Sequence, residues 1–404
     1  MNIREKCVGA LSLLAAACAA QPVPSGNTVV ISGSVNAQFE SIRADGATNP
    51  AASIPSRTRV NQNGSELRFT ATREFDGGLQ GYATIGSEIQ SFSGANGNNT
   101  NTFGFRNTGV GVRGSFGEVA LGRWDSHYHW SSLVVDRAFL TGGLALDSKS
   151  LLSWINSSGA TNMNFLGNRF SNTVRYNTPS YGGATGHLIY SRNDGAAAAF
   201  AGRTKQKDSS VNLAATYSNG PLSAFGSYFT REGANVPMPY ASPLTPSLAE
   251  QKAIRLGGAY QIAGGWRVGL IFDRSETQQS PNLATTLTAE RTAWAIPVVY
   301  TTGKHQFSLT YARAGDTSGT LFPAIVAVGT NSGTGASMMG LGYQYAFDRN
   351  ANFQLAYSRL TNQRNAGYDF NLNGGAGVMN TAAPGASALG ADPRTLQVGL
   401  RFAF

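Results

Sequence analysis

After residue 18 the chain contains no cysteine. Its two, Cys7 and Cys18, both lie in the first twenty residues. Once that segment is removed, the chain can form neither a disulfide nor a thiolate metal site. Histidine is nearly as scarce. There are four, and only His127 and His129 are close together. Such a pair reads as loop chemistry, so no metal or cofactor is expected. Past residue 27 no apolar run approaches the roughly 18 residues that a membrane-spanning helix needs. Acidic charge is also short: 22 Asp and Glu stand against 31 Lys and Arg, for a formal net charge of +9. The bases are dispersed rather than clustered, which argues against nucleic acid as a partner.

What is present begins with a leader. Arg4 and Lys6 outnumber Glu5, Val8–Ala20 is small or apolar, and the stretch closes on Ala19-Ala20. A basic start, a short apolar stretch and a small-residue exit describe a secretory signal peptide over residues 1–20, with 21–404 as the mature chain. A lipid-modified Cys18 would want Leu three places before it, where Ala15 stands.

The mature chain is rich in alternation. In Leu396-Gln397-Val398-Gly399-Leu400-Arg401-Phe402-Ala403-Phe404 every even position is large and apolar. Met339, Leu341, Tyr343, Tyr345 and Phe347 form a second such face, and Trp266, Val268, Leu270 and Phe272 a third. Period two means strands with one apolar and one polar or small face. Tyr176, Tyr217, Tyr260, Tyr300 and Tyr345 recur roughly every forty to forty-five residues, each just before a short turn. The other connections, such as Glu232–Glu250 and Asn362–Asp392, are long and rich in Gly, Asn, Pro and Ser.

About sixteen strands result, with short turns on one rim, long loops on the other and tyrosines at the strand ends. That asymmetry belongs to a transmembrane antiparallel β-barrel whose apolar face meets lipid. Only closure leaves no unpaired N–H or C=O in hydrocarbon. A barrel of this size has an aqueous lumen. Ser32, Ser34, Asn36, Gln38 and Glu40 suit that lumen, and Val29, Ile31, Val35 and Phe39 suit lipid.

Four motifs in order carry a resemblance. They are Asn63-Gly64-Ser65-Glu66-Leu67-Arg68-Phe69, Phe116-Gly117-Glu118-Val119-Ala120-Leu121-Gly122-Arg123, Asn172-Thr173-Val174-Arg175-Tyr176-Asn177-Thr178-Pro179, and the terminal strand ending in Phe404. The chain resembles the general diffusion porins of Gram-negative bacteria, most closely the trimeric beta-proteobacterial type. The resemblance implies sixteen strands, a homotrimer in the outer membrane, and a third external loop folded into the lumen. That loop corresponds to about residues 124–169. The resemblance also implies a basic wall at the constriction, matched by motif to Arg68, Arg123 and Arg175, facing acids on the loop. Asp125, Asp136 and Asp147 are the candidates, with Glu66 where the family usually has a base. Ser34 likewise stands where a base is common. In the family a terminal Phe, here Phe404, is read by the barrel-assembly machinery.

The expected function is passive diffusion of small hydrophilic solutes or ions through a water-filled channel, with no catalytic residue. Without residues 1–20 the net charge falls by one to +8. Charges avoid the lipid face, so an excess of bases in a narrow lumen implies anion preference. Binding of the outer loops to lipopolysaccharide is a competing use of the same charge. Two alternatives remain: an eighteen-strand substrate-specific porin, and a barrel enzyme using His127 or His129 with Ser126, Ser131 or Ser132.

Overall fold

In the computed structural model, the residues described are 27–89, 103–156, 163–165, 169–193, 208–232, 248–280, 287–320, 332–370, 378–379 and 388–404. The expected leader, with Cys18, lies outside them. The strands are β1 (Asn27–Asp45), β2 (Ile54–Gln62), β3 (Glu66–Phe75), β4 (Leu79–Glu88), β5 (Thr108–Gly114), β6 (Gly117–Asp125), β7 (Trp154–Asn156), β8 (Met163–Phe165), β9 (Arg169–Asn177), β10 (Ala184–Asn193), β11 (Asp208–Asn219), β12 (Leu222–Glu232), β13 (Leu248–Gln261), β14 (Trp266–Ser280), β15 (Leu287–Thr302), β16 (His305–Ala314), β17 (Ala336–Ala346), β18 (Ala351–Asn362) and β19 (Asp392–Ala403).

Each wall strand pairs antiparallel with its neighbours, and the ring closes because β1 pairs with β19 from Ser34↔Ala403 to Asp45↔Asp392. On its other edge β1 pairs with β3 along its first half and with β2 along its second. β2 and β3 are therefore one crossing, broken at Asn63–Ser65. β7 and β8 pair only with each other. The wall thus has sixteen crossings, as the alternation predicts, and not eighteen.

The rims divide as the turn residues demand. Asp76–Gly78, Ser115–Phe116, Thr178–Gly183, Gly220–Pro221, Ile262–Gly265, Gly303–Lys304 and Phe347–Asn350 make short turns. The long connections all leave from the opposite strand ends. At the seam, Gly33 N–H donates to the Phe404 carbonyl at 2.9 Å, and Phe404 N–H to Gly33 at 3.0 Å. The period-two face points outward: Leu400, Phe402 and Phe404 are exposed, as are Ile31 and Phe39, while Gln38, Gln397 and Thr395 are buried inside. A soluble protein would reverse that arrangement. Here hydrocarbon is the outer solvent, and exposed apolar rings cost nothing there.

Candidate functional site

The third long connection, between β6 and β9, turns into the lumen. The Ser126 hydroxyl accepts the His129 N–H at 3.1 Å and caps a single-turn helix, α1 (His127–Trp130). Two further turns, α2 (Phe139–Gly142) and α3 (Lys149–Leu152), alternate with 3₁₀ turns at Ser131–Val134 and Gly143–Leu146. Segments this short cannot hold a helix by propensity alone, so the wall must seat them.

It does so at three places. Asp273 on β14 lies fully buried between Arg255 on β13 and Arg291 on β15. Arg255 Nε donates to Asp273 Oδ2 at 2.9 Å, and Arg291 Nη2 to Oδ1 at 2.7 Å. The Tyr128 hydroxyl adds a donor at 2.6 Å. The remaining guanidinium N–H groups reach the loop: Arg255 donates to Leu152 O (2.6 Å) and Tyr128 O (3.1 Å), and Arg291 to Leu152 O (3.0 Å) and Leu151 O. Two cations share one carboxylate, and the carbonyl end of α3 takes up part of the excess. Lower on β14, the Arg267 guanidinium donates to Val134 O at 2.7 Å. On the far side, Leu146 fills a notch over Gly340 and Gly342. A Cβ on either glycine would stand about 2.5 Å from it. Asn63, at the break between β2 and β3, accepts the Leu144 N–H at 2.8 Å. The last external connection closes over the same side, with Tyr368, Phe370 and Val378 packed in one cluster with Leu144, Leu151 and Leu152.

Seating the loop there decides which wall stays wet. Apart from Arg267 and the Arg255–Asp273–Arg291 cluster, many inward residues of β13 to β18 are small and covered, among them Ala253, Ala289, Ala293, Ala295, Ala312 and Ala356. Those of β3 to β6 and β9 include several charged residues, some of them partly open. In one row, Arg68 Nη2 meets Glu66 at 2.5 Å, Arg106 meets Glu88 at 3.3 Å, and Arg169 meets Asp125 at 2.5 Å. Six residues further along β9, about 20 Å at strand rise, Arg175 pairs with Glu118 and donates to Tyr82 Oη at 3.2 Å. Its guanidinium lies over the Trp124 ring at 3.9 Å. Beside it the rings of His127 on the loop and His187 on β10 stack at 4.1 Å. His187 bonds Asn177 and Thr216 through its two nitrogens at 2.9 and 3.0 Å.

The residues singled out in the sequence therefore separate. Glu66 and Arg68 are together on the wet wall, and Arg175 is on the same wall in a different row. Arg123 is a correction. It follows Leu121, which faces out, and it stacks over the outward Phe105 at 4.4 Å while donating to Phe105 O at 2.9 Å. It does not share the inward face. Asp125 ends β6 rather than standing on the loop. Asp136 and Asp147 are on the loop but buried in it: Asp136 accepts Ser148 Oγ at 2.6 Å, and Asp147 pairs with Lys149 at 2.9 Å. The acids facing the wall arginines are wall acids. Within the loop Leu151 is buried, and the side chains of Phe139 and Trp154 lie outside the described residues. The enzyme candidates do other work, Ser126 as a cap and His127 in a ring stack. Sequence reasoning missed Arg106, Arg169, Tyr128, Arg255, Asp273 and Arg291. The available signal was a charge on an inward parity otherwise small, as at Arg255 between Ala253 and Gly257.

Comparison with known proteins agrees with this architecture. A family model described as Gram-negative porin matches residues 8–366. The major outer membrane protein P.IB of Neisseria meningitidis serogroup B is 28% identical over 189 residues, 46% of this chain and 50% of that protein. The chain thus spans about half the length of the curated relatives it matches. Among solved structures, an anion-selective porin from Comamonas acidovorans superimposes with a TM-score of 0.66 at 19% identity, covering 94% of this chain and all of that one. The trimer form of the Vibrio cholerae outer membrane protein OmpT gives 0.62 at 14% identity, with coverage of 94% and 100%.

Proposed function

This chain belongs to the Gram-negative porin family, and from that premise we propose that it is a homotrimeric outer-membrane channel for passive diffusion of small hydrophilic solutes, with a preference for anions. The observation that carries the reading is the division of the lumen. One wall is filled by the seated loop, and the other carries Arg68, Arg106, Arg169 and Arg175, of which Arg68 is open to the lumen and the others are largely buried beside it. A cation in a narrowed lumen between low-dielectric walls acts at longer range than one on an open surface.

Each of these four arginines has an acid beside it, and further positive charge comes from cations that have none. Arg401 and Arg267 face inward with no carboxylate paired to either among the described residues. The anion selectivity of the Comamonas neighbour and the trimer form of the Vibrio protein support this reading. Lipopolysaccharide and the barrel-assembly machinery are the further partners proposed, together with secretion by the leader.

The test is single-channel recording in planar bilayers across a salt gradient. Wild type should give a reversal potential on the anion side. Replacing Arg68 and Arg175 by Gln leaves Glu66 and Glu118 uncompensated, so the potential should move toward the cation side while conductance holds or rises. An unchanged potential in the double variant would remove these residues from the selective path.

A further inference from the structure

We infer that Arg137 and Arg267 form a binding subsite for a small dianionic oxyanion, of the phosphate or sulfate class, below the seated loop near the short-turn mouth. The inference rests on the anion-diffusion reading and adds a place where the anion halts.

Arg267 is the second residue of β14, immediately after the Ala263–Gly265 turn. Its inward parity is set by Gly269, whose missing Cβ leaves room for Val135; a Cβ there would stand 2.7 Å from the valine Cγ1. Val135 therefore rests on β14 just above Arg267, and the Val134 carbonyl takes one Arg267 N–H at 2.7 Å. Arg137 follows two residues on, its N–H bonded to Val135 O at 3.0 Å, so the chain is held close to the same spot. The charged group whose field reaches Arg267 is Arg137, a second cation.

Among the described residues nothing nearby neutralises the pair. The inward neighbours of Arg267 are Ala259 and Gln261 on β13 and Pro297 and Val299 on β15. None is acidic. Arg267 Nε is buried without a hydrogen-bond partner. The Arg137 side chain is exposed and makes no ion pair or hydrogen bond among the described residues. Among the described residues, the arginines Arg68, Arg106, Arg169, Arg175, Arg255 and Arg291 each have a carboxylate against them. Arg267 is held by the Val134 carbonyl and Arg137 stands three residues further along the same segment, so two cations with no carboxylate beside them raise the free energy of the empty site. An oxyanion with two or three acceptor oxygens relieves that repulsion and satisfies the free Nε. Chloride could screen the pair but could not accept from both forks at once.

The probe is inorganic phosphate at neutral pH, added to reconstituted trimers carrying chloride current in about 0.1 M salt, where charges beyond about 10 Å are screened. Phosphate should reduce the current saturably. Arg137→Gln touches no contact that seats the loop. It should raise the half-inhibiting concentration about tenfold, as expected for loss of one charge-assisted contact. Arg267→Gln should do the same, and the double variant should add little, since one site is lost either way. Arg68→Gln should shift the reversal potential and leave phosphate inhibition intact. Absence of inhibition in wild type, or inhibition unmoved by Arg137→Gln, would overturn the subsite while leaving the diffusion reading to its own measurement. Sulfate in place of phosphate should act alike, and inhibition by phosphate alone would overturn the class assigned.

Discussion

Arg175 lies flat on Trp124 with Glu118 and Tyr82 at its edge, and the His127–His187 stack stands next to it. His127 is thus held among rings and beside a cation. Burial, then the nearby His187 and Arg175, lower its pKa from 6.5 to about 3. The sign follows directly. A loop in place keeps His127 neutral, whereas a detached loop lets it protonate near 6.5. The seat is at full strength above pH 6.5 and weakens as pH falls toward 3. Current fluctuations should accordingly grow on acidification through that window, and His127→Gln should reduce the dependence, the remainder coming from His129 in the same turn, which burial also holds below its ordinary pKa. Noise independent of pH in wild type would dismiss His127 as a seat. At this scale much was legible. Parity alone points Arg68 and Arg175 inward, and the same parity puts Arg123 out with Val119 and Leu121. Matching Arg123 by motif overrode its own strand's alternation, and the alternation was right.

The inner loop is the element on which the channel depends, and it has almost no intrinsic structure. Its turns hold because Arg255, Asp273 and Arg291 form a buried ion cluster aimed at the carbonyls of Tyr128, Leu151 and Leu152. Breaking one partner of such a cluster costs roughly 3–5 kcal/mol, because a charge is left buried and unpaired. Asp273→Asn should leave two facing guanidiniums, loosen the loop and give a larger, noisier conductance, with the barrel still folded. Current traces matching wild type would mean the other seats suffice. The position of the loop was legible from its length and its place after β6. Its anchors were not, because the three charged residues come from three different strands and meet only when register is set.

On the scale of the whole molecule, closure is a matter of one seam. Gly33 and Phe404 exchange two backbone hydrogen bonds where the first and last strands meet. Deleting Phe404 removes the two backbone hydrogen bonds to Gly33 and the aromatic that follows β19 at once. Less assembled, heat-modifiable trimer should appear in outer-membrane fractions, and an undiminished yield would rule out a role for the terminal residue in assembly. The sequence by itself determined the strands, their inward and outward faces, the sides of the short and long connections, and closure. All of these follow from a period of two and from turn chemistry, which act between residues near in the chain. Only the tertiary structure decided which wall stays wet, which acid pairs with which arginine, and where the loop is fastened. Most of those depend on contacts between different strands or between loop and wall, such as Arg175 with Glu118, Tyr128 with Asp273, and Leu146 with Gly340 and Gly342. No local pattern encodes such contacts until sixteen crossings have set their register.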